Sequence, residues 1–314
     1  MLSQEFLEKM KSLDLEDVSQ YIRSISTPML VSMGAVAVAT TYYLTTRPKA
    51  LPPLWDLHTQ SVEVPGSDFV HRSALQKEDG YLTHVYEDAR TMYESFIRGA
   101  RVSNNGPCLG FRKPKQPYEW MSYKEVMKRA ENLGSAFLHK GHSKTTNPHI
   151  GIFSQNRPEW TISELACYTY SLVSVPLYDT LGTEAISYII DKGETLQQQN
   201  VLLNYSHPFR SPKGAMLTHG NIVSNYSSFI KLTQVRLRCP LNSSDVHISY
   251  LPLAHMFERI VQGVMLVHGA RIGFFQGDVR RLSDDLIALR PTVFPVVPRL
   301  LNRMYDKVSD RQRS

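Results

Sequence analysis

Apolar positions in this chain recur at two spacings, and the change from one to the other marks out its elements. Val85, Ala89, Met92, Tyr93 and Phe96 fall three or four apart, which predicts an amphipathic helix over 83–99. Asn104, Asn105, Gly106 and Pro107 then predict a turn. Ser122 and Glu125 form a capping-box pair ahead of Val126, Met127, Ala130, Leu133 and Phe137, so a second helix is expected there, with Gly141 as its stop. From 149 onward, short apolar runs alternate with amphipathic ones: strand 149–154, helix 158–171, strand 172–176, helix 183–191. The alternation returns after 213 with helix 221–233, strand 246–251, helix 256–268, strand 271–275, helix 282–289, strand 292–297 and helix 299–308. Strands and helices taking turns in this way predict an α/β protein, with parallel sheets flanked by helices.

Two stretches depart from that rhythm. Residues 24–46 hold no charge and, as a helix, would be about 34 Å long at roughly 1.5 Å per residue, enough for a bilayer core. Ser26, Thr27, Ser32, Thr40 and Thr41 moderate its hydrophobicity, and a buried helix is the alternative to a membrane anchor. Arg47 and Lys49 follow the run, whereas the segment before it is net acidic, so an anchored chain would keep its bulk in the cytosol. Pro48, Pro52, Pro53 and Pro65 predict an extended linker next. The second departure is 193–210, whose polar Gln197, Gln198, Gln199 and Asn200 and aperiodic remainder read as a poorly specified join. The expected organisation is therefore an N-terminal segment 1–23, anchor 24–46, linker and start of the fold 47–80, α/β part 81–192, join 193–210, second α/β part 211–308 and tail 309–314.

Composition narrows the partners. The 314 residues are 42% hydrophobic, sufficient for a sizeable core. Lys and Arg outnumber Asp and Glu by 35 to 29, but they are scattered and not gathered into stripes with aromatics, so no nucleic acid is expected as a partner. Cys108, Cys167 and Cys239 are too few and too far apart for a disulfide framework or a metal site.

Candidate chemistry lies in the loops. Pro212, Lys213 and Gly214, followed by Thr218 and Asn221 at a helix start, could hold an anion such as a phosphate through the lysine and backbone N–H groups. An ordinary turn before a helix explains the same residues. The loops at 155–160 and 177–182 follow predicted strands, where ligands gather in α/β sheets; polar surface turns are the alternative. His255 opens a helix after a strand and could transfer or orient a proton, with Glu258 one turn on to support it. Equally, His255 could cap that helix. His219, His247, His255 and His268 show no ligand spacing, and no metal site is expected.

Several of these segments together resemble the AMP-forming adenylate-forming enzymes, specifically the membrane-anchored long-chain acyl-CoA synthetases. They include Gly151 to Trp160, Val175 to Gly182, Pro212-Lys213-Gly214-Ala215-Met216, Ser249 to Arg259, Gly269 to Gly277 and Pro291 to Leu301. The resemblance implies the partial large N-terminal domain of such an enzyme behind one membrane helix. It implies activation of a long-chain fatty acid with ATP, Mg and coenzyme A through an acyl-AMP intermediate, at the endoplasmic reticulum or mitochondrial outer membrane. It also implies roles for Lys213, Gly214 and Thr218 at the ATP phosphates, and for His255 near the acyl and nucleotide pocket.

Departures from the family's pattern set a second expectation. The family carries a Ser/Thr/Gly-rich run ahead of Pro212-Lys213-Gly214, and Tyr205, Ser206, His207, Pro208, Phe209 and Arg210 stand in that place. Residues 193–210 then look like a bridge across an internal deletion. The resemblance ends near Lys307, before the family's adenine, magnesium and hinge motifs. Impaired ligase activity is expected, the alternative role being a membrane-anchored fragment that binds fatty acid or associates with full-length synthetase.

Overall fold

A computed structural model of the chain describes residues 24–46, 59–76, 80–141, 148–178, 182–192, 215–237 and 240–313. It divides into two compact units, 1–75 and 76–314.

In the first unit, helix α1 (Thr27–Thr46) is 20 residues long, has a mean hydropathy of 1.3 and buries none of its side chains. That length and composition suffice to cross a membrane. Three of its hydroxyls bond back within the helix, among them Ser32, which donates to the Pro28 carbonyl at 2.8 Å, and Thr46, which donates to that of Tyr42 at 2.6 Å. Such back-bonding removes part of the cost of placing hydroxyls in an apolar environment. Within the stretch expected to be a linker, β1 (Ser61–Glu63) and β2 (His71–Ser73) pair antiparallel as a short hairpin.

The second unit opens with α2 (Met92–Val102). The helix expected from residue 83 begins at Met92 because Thr91 and Glu94 form a reciprocal capping box there, Thr91 Oγ1 accepting from the Glu94 N–H at 3.1 Å. Next come β3 (Pro107–Phe111) and β4 (Glu119–Ser122), an antiparallel pair that the sequence pattern did not reveal. Helix α3 (Tyr123–His139) starts at the Ser122/Glu125 box and stops at Gly141, whose φ is 88°. Then follow β5 (His149–Phe153), α4 (Pro158–Thr169), β6 (Val173–Leu177) and α5 (Thr183–Lys192). The second half contains α6 (His219–Leu237), β7 (Val246–Ser249), α7 (Met256–Val267), β8 (Arg271–Phe274), α8 (Leu282–Leu289) and α9 (Pro298–Arg313).

These strands make two sheets. One runs β4-β3-β8-β7, parallel except for the β3–β4 hairpin, and the other is the parallel pair β5-β6. The strand expected over 292–297 reduces to a single bridge between Val293 and His247. Pro291, Pro295 and Pro298 explain this, since each lacks the N–H that a ladder needs. The largest core cluster joins α2, α3, α4 and α7 to the central strands through Phe96, Tyr123, Trp160, Met265 and Ile272, all fully or nearly fully buried. A second cluster, around Tyr226, Ile230 and Val267, seats α6 on α7.

Candidate functional site

All four strands of the two parallel pairs, β5, β6, β7 and β8, end at one cleft of about 510 Å³. Ser154, Gln155 and Asn156 line it after β5, Leu177 and Tyr178 at the end of β6, 250–254 after β7, and Phe275 and Gly277 after β8. Val279, together with Val297, Arg299, Leu300 and Arg303 just before and at the start of α9, completes the wall. Loops beyond the carboxyl ends of parallel strands are where α/β sheets place ligands. Both loops singled out in the sequence contribute to this cleft, the second through Leu177 and Tyr178 among the described residues.

Asn156 ties the loops into a rigid floor. Its side-chain amide is buried; Nδ2 donates to Ser249 Oγ at 2.9 Å and to the Leu251 carbonyl at 2.5 Å, while Oδ1 accepts from the Leu253 N–H at 3.0 Å. One side chain from the β5 loop thus fixes the backbone after β7, in the other sheet. Ser249 also accepts from Gln262 of α7 at 3.0 Å, so the strand end, its loop and the following helix share one hydrogen-bond network. Sequence reasoning noted Asn156 only as part of a loop. Its partners lie about a hundred positions away, and no local spacing reports them.

The β8 side of the cleft is held by a buried ion pair. Arg112 Nε donates to Asp285 Oδ1 at 2.8 Å, and a second guanidinium nitrogen bonds Asp284. Asp285 is fully buried and also accepts from the Gln276 backbone N–H at 3.1 Å and its side-chain amide at 2.9 Å. That fixes 275–277, where Gln155 Oε1 lies 2.8 Å from the position a Cβ would take on Gly277. Tyr250 donates its hydroxyl to the Pro295 carbonyl at 2.6 Å, and burial pushes its pKa up to about 12.

The expected site residues separate. His255 is exposed and caps α7, its Nδ1 accepting from the Phe257 N–H at 3.2 Å; its neighbours Leu253 and Ala254 line the cleft. Glu258 does not support it. The carboxylate turns into the core and meets His247 Nε2 at 2.9 Å, with both side chains fully buried. The reason lies in helix geometry: Glu258 shares the inward face of α7 with Val261, Gln262 and Met265, whereas His255 stands outside the first turn. Thr218 caps α6 in a reciprocal pair with Asn221, its Oγ1 accepting from the Asn221 N–H at 3.2 Å while Asn221 Oδ1 accepts from the Thr218 N–H at 3.0 Å. Lys213 and Gly214 lie outside the described residues, as does the join 193–210.

This arrangement, parallel strands converging with their loops on one amphipathic cleft, defines an α/β ligand-binding domain. The same fold occurs in the crystal structure of VinN, with a TM-score of 0.58 at 12% identity over 71% of this chain and 65% of that one. It occurs also in the O-succinylbenzoate coenzyme A synthetase (MenE) of Bacillus subtilis in complex with AMP, with a TM-score of 0.54 at 14% identity over 68% and 64%. Residues 98–195 and 211–314 match the AMP-binding enzyme family, and the chain belongs to that family. It is 45% identical to long-chain-fatty-acid–CoA ligase 1 of Cavia porcellus and 48% identical to long-chain-fatty-acid–CoA ligase 6 of Rattus norvegicus. Each alignment runs over 379 residues, 98% of this chain and 54% of the relative. The chain therefore spans about half the length of these relatives. The aligned stretch is also longer than the chain's own 314 residues, so part of it has no counterpart here.

Proposed function

We propose that this domain serves the ATP-dependent activation of long-chain fatty acids. In the first step the fatty-acid carboxylate attacks the α-phosphorus of ATP, forming acyl-AMP and releasing pyrophosphate. In the second the thiol of coenzyme A attacks the acyl carbon, and AMP leaves as the thioester forms. The observation that carries this reading is the cleft itself, walled by the segments 154–156, 250–254 and 299–303. Its hydrocarbon walls suit an acyl or nucleoside group, and its arginines suit an anionic one. Magnesium would enter with the nucleotide, held by the phosphates. Lys213 and Gly214 would attend those phosphates, with Thr218 at the start of the following helix; backbone donors and a lysine stabilise charge that develops during phosphoryl chemistry. His255, exposed beside the cleft-lining Ala254, would orient the reacting groups.

The same reading makes this chain a weak ligase. The family match breaks between 195 and 211, where aromatic and basic side chains stand in place of the hydroxyl and glycine run expected before Lys213. We take 193–210 as a bridge across an internal deletion that removes the front of the phosphate loop. That break favours a second reading, in which the chain binds fatty acid or pairs with full-length synthetase without turning over. AMP release with palmitate, ATP and coenzyme A tests the first against the second. Turnover at least about a hundredfold below a full-length relative is expected, corresponding to about 2.7 kcal/mol of lost transition-state stabilisation. A comparable rate would overturn the impairment. Helix α1 would anchor the chain in the endoplasmic reticulum or mitochondrial outer membrane with its bulk in the cytosol. Retention in the membrane pellet after alkaline carbonate is the expected result.

A further inference from the structure

Among the described residues, two of the side chains lining the cleft are charged, both of them arginines, Arg299 and Arg303, and no carboxylate lines it. They lie four apart on α9, so they share one face of that helix. Neither has an ion-pair or hydrogen-bond partner among the described residues. Around the same cleft, Arg112 is bonded to Asp284 and Asp285, and Arg157 to Glu159.

Their placement also opposes local electrostatics. Arg299 is the second residue of a 16-residue helix whose first turn holds no acid, so its charge sits at the positive end of the helix dipole. An unrelieved conflict of this kind is expected where a ligand supplies the missing charge. A guanidinium presents a planar fork of donors that matches a carboxylate or phosphate oxygen pair. Beside the pair, Leu177, Leu253, Phe275, Val297 and Leu300 offer a hydrocarbon surface. A charged group alone would leave that surface wet, and a neutral lipid would leave the arginines unmatched.

We propose that Arg299 and Arg303 recognise the oxyanion head of an amphipathic ligand whose hydrocarbon lies along the cleft. The proposal rests on the acyl-activating reading above and names the residues that hold the anionic end.

The full chain in lipid nanodiscs, with empty discs as the blank, is dialysed against dodecanoate, dodecyl phosphate, dodecanol and AMP. Dodecanoate or dodecyl phosphate should bind at least about tenfold more tightly than dodecanol, the better of the two showing whether the head is a carboxylate or a phosphate. The contrast should shrink as salt is raised. The double variant R299Q/R303Q should reduce the anion to the affinity of the alcohol, and R299K/R303K should retain part of the preference. Both arginines are exposed, so an unchanged thermal transition is expected for each variant. Anion binding that is the same in wild type and R299Q/R303Q would overturn the proposal while leaving the acyl-binding reading intact. Binding of none of the dodecyl compounds would overturn both. Arginine-dependent binding of AMP alone would overturn the amphipathic ligand.

Discussion

At the level of single residues, Asn156 and His255 carry opposite expectations although both sit beside the cleft. Asn156 is buried and makes three hydrogen bonds, so Asn156→Ala strands the Leu251 carbonyl and the Leu253 N–H and leaves Ser249 Oγ with Gln262 as its remaining donor. A loss of about 2–3 kcal/mol in urea denaturation is expected. His255 makes one exposed cap bond, and His255→Ala should cost at most about 1 kcal/mol. Equal losses would show that the network does not hold the floor of the cleft. A third side chain links stability to pH. His268 faces the Val264 carbonyl through Nδ1 at 2.7 Å, so Nδ1 carries the proton and Nε2 accepts from Tyr86 Oη at 2.9 Å. Burial lowers its pKa, the nearby Arg98 lowers it further, and the Val264 bond and Asp245 act the other way. A histidine held neutral in the fold is protonated more readily in the unfolded chain. Stability should therefore be full above the ordinary histidine pKa of about 6.5 and fall as pH drops below it. His219, also lowered mainly by burial, adds to the same slope. A thermal midpoint that stays level between pH 7 and pH 5 would refute this, and His268→Gln should flatten the slope.

At the level of elements, caps and periodicity were legible and long-range pairing was not. Ser122 and Glu125 announced α3 in the sequence because a capping box is a local signal, read over four residues. The equally good box at Thr91 and Glu94 was hidden, since Val85 and Ala89 ahead of it happen to fall at helical spacing and drew the expected start back to 83. Removing either box has a similar expected cost: Thr91→Ala and Ser122→Ala should each destabilise by about 1 kcal/mol, seen as a shift in denaturation midpoint at constant slope. No shift for Thr91→Ala would mean that the start of α2 is set by packing alone. Strand β3, and β4 which pairs with it at the sheet edge, escaped notice because the parallel pairing of β3 lies elsewhere in the chain. Leu109 and Gly110 pair with Ile272 and Gly273, more than 160 positions on, and the five-residue run is too short to identify itself. Of the candidate site, the loops after β5, β6 and β7 were legible as strand ends. The arginines of α9 were not, because only the fold brings 299–303 to the ends of those strands.

For the whole molecule, the two sheets of the second unit differ in how firmly they are held. Strand β7 is buried along its whole length and β8 along three of its four residues, with β8 paired on both sides, to β7 and β3. Among the described residues, the β5-β6 sheet has two strands, mostly half-buried, and its own small cluster around Leu177. A two-stranded sheet has little independent stability, and its outer edges present backbone groups that water can reach. Both sheets wall the same cleft, so its two sides should open at different free energies. Amide exchange followed by mass spectrometry should find 271–274 and 246–249 protected up to the global unfolding limit, and 149–153 and 173–177 exchanging at least about tenfold faster through local opening. Asn156 is the joint between the two regimes, since its hydrogen bonds run from the β5 loop into the β7 strand end. Asn156→Ala should accordingly widen the gap in protection by speeding 149–153 while leaving 271–274 at the new global limit. Uniform protection across the four strands would show a single cooperative sheet layer, and the cleft would then open and close only with the whole domain.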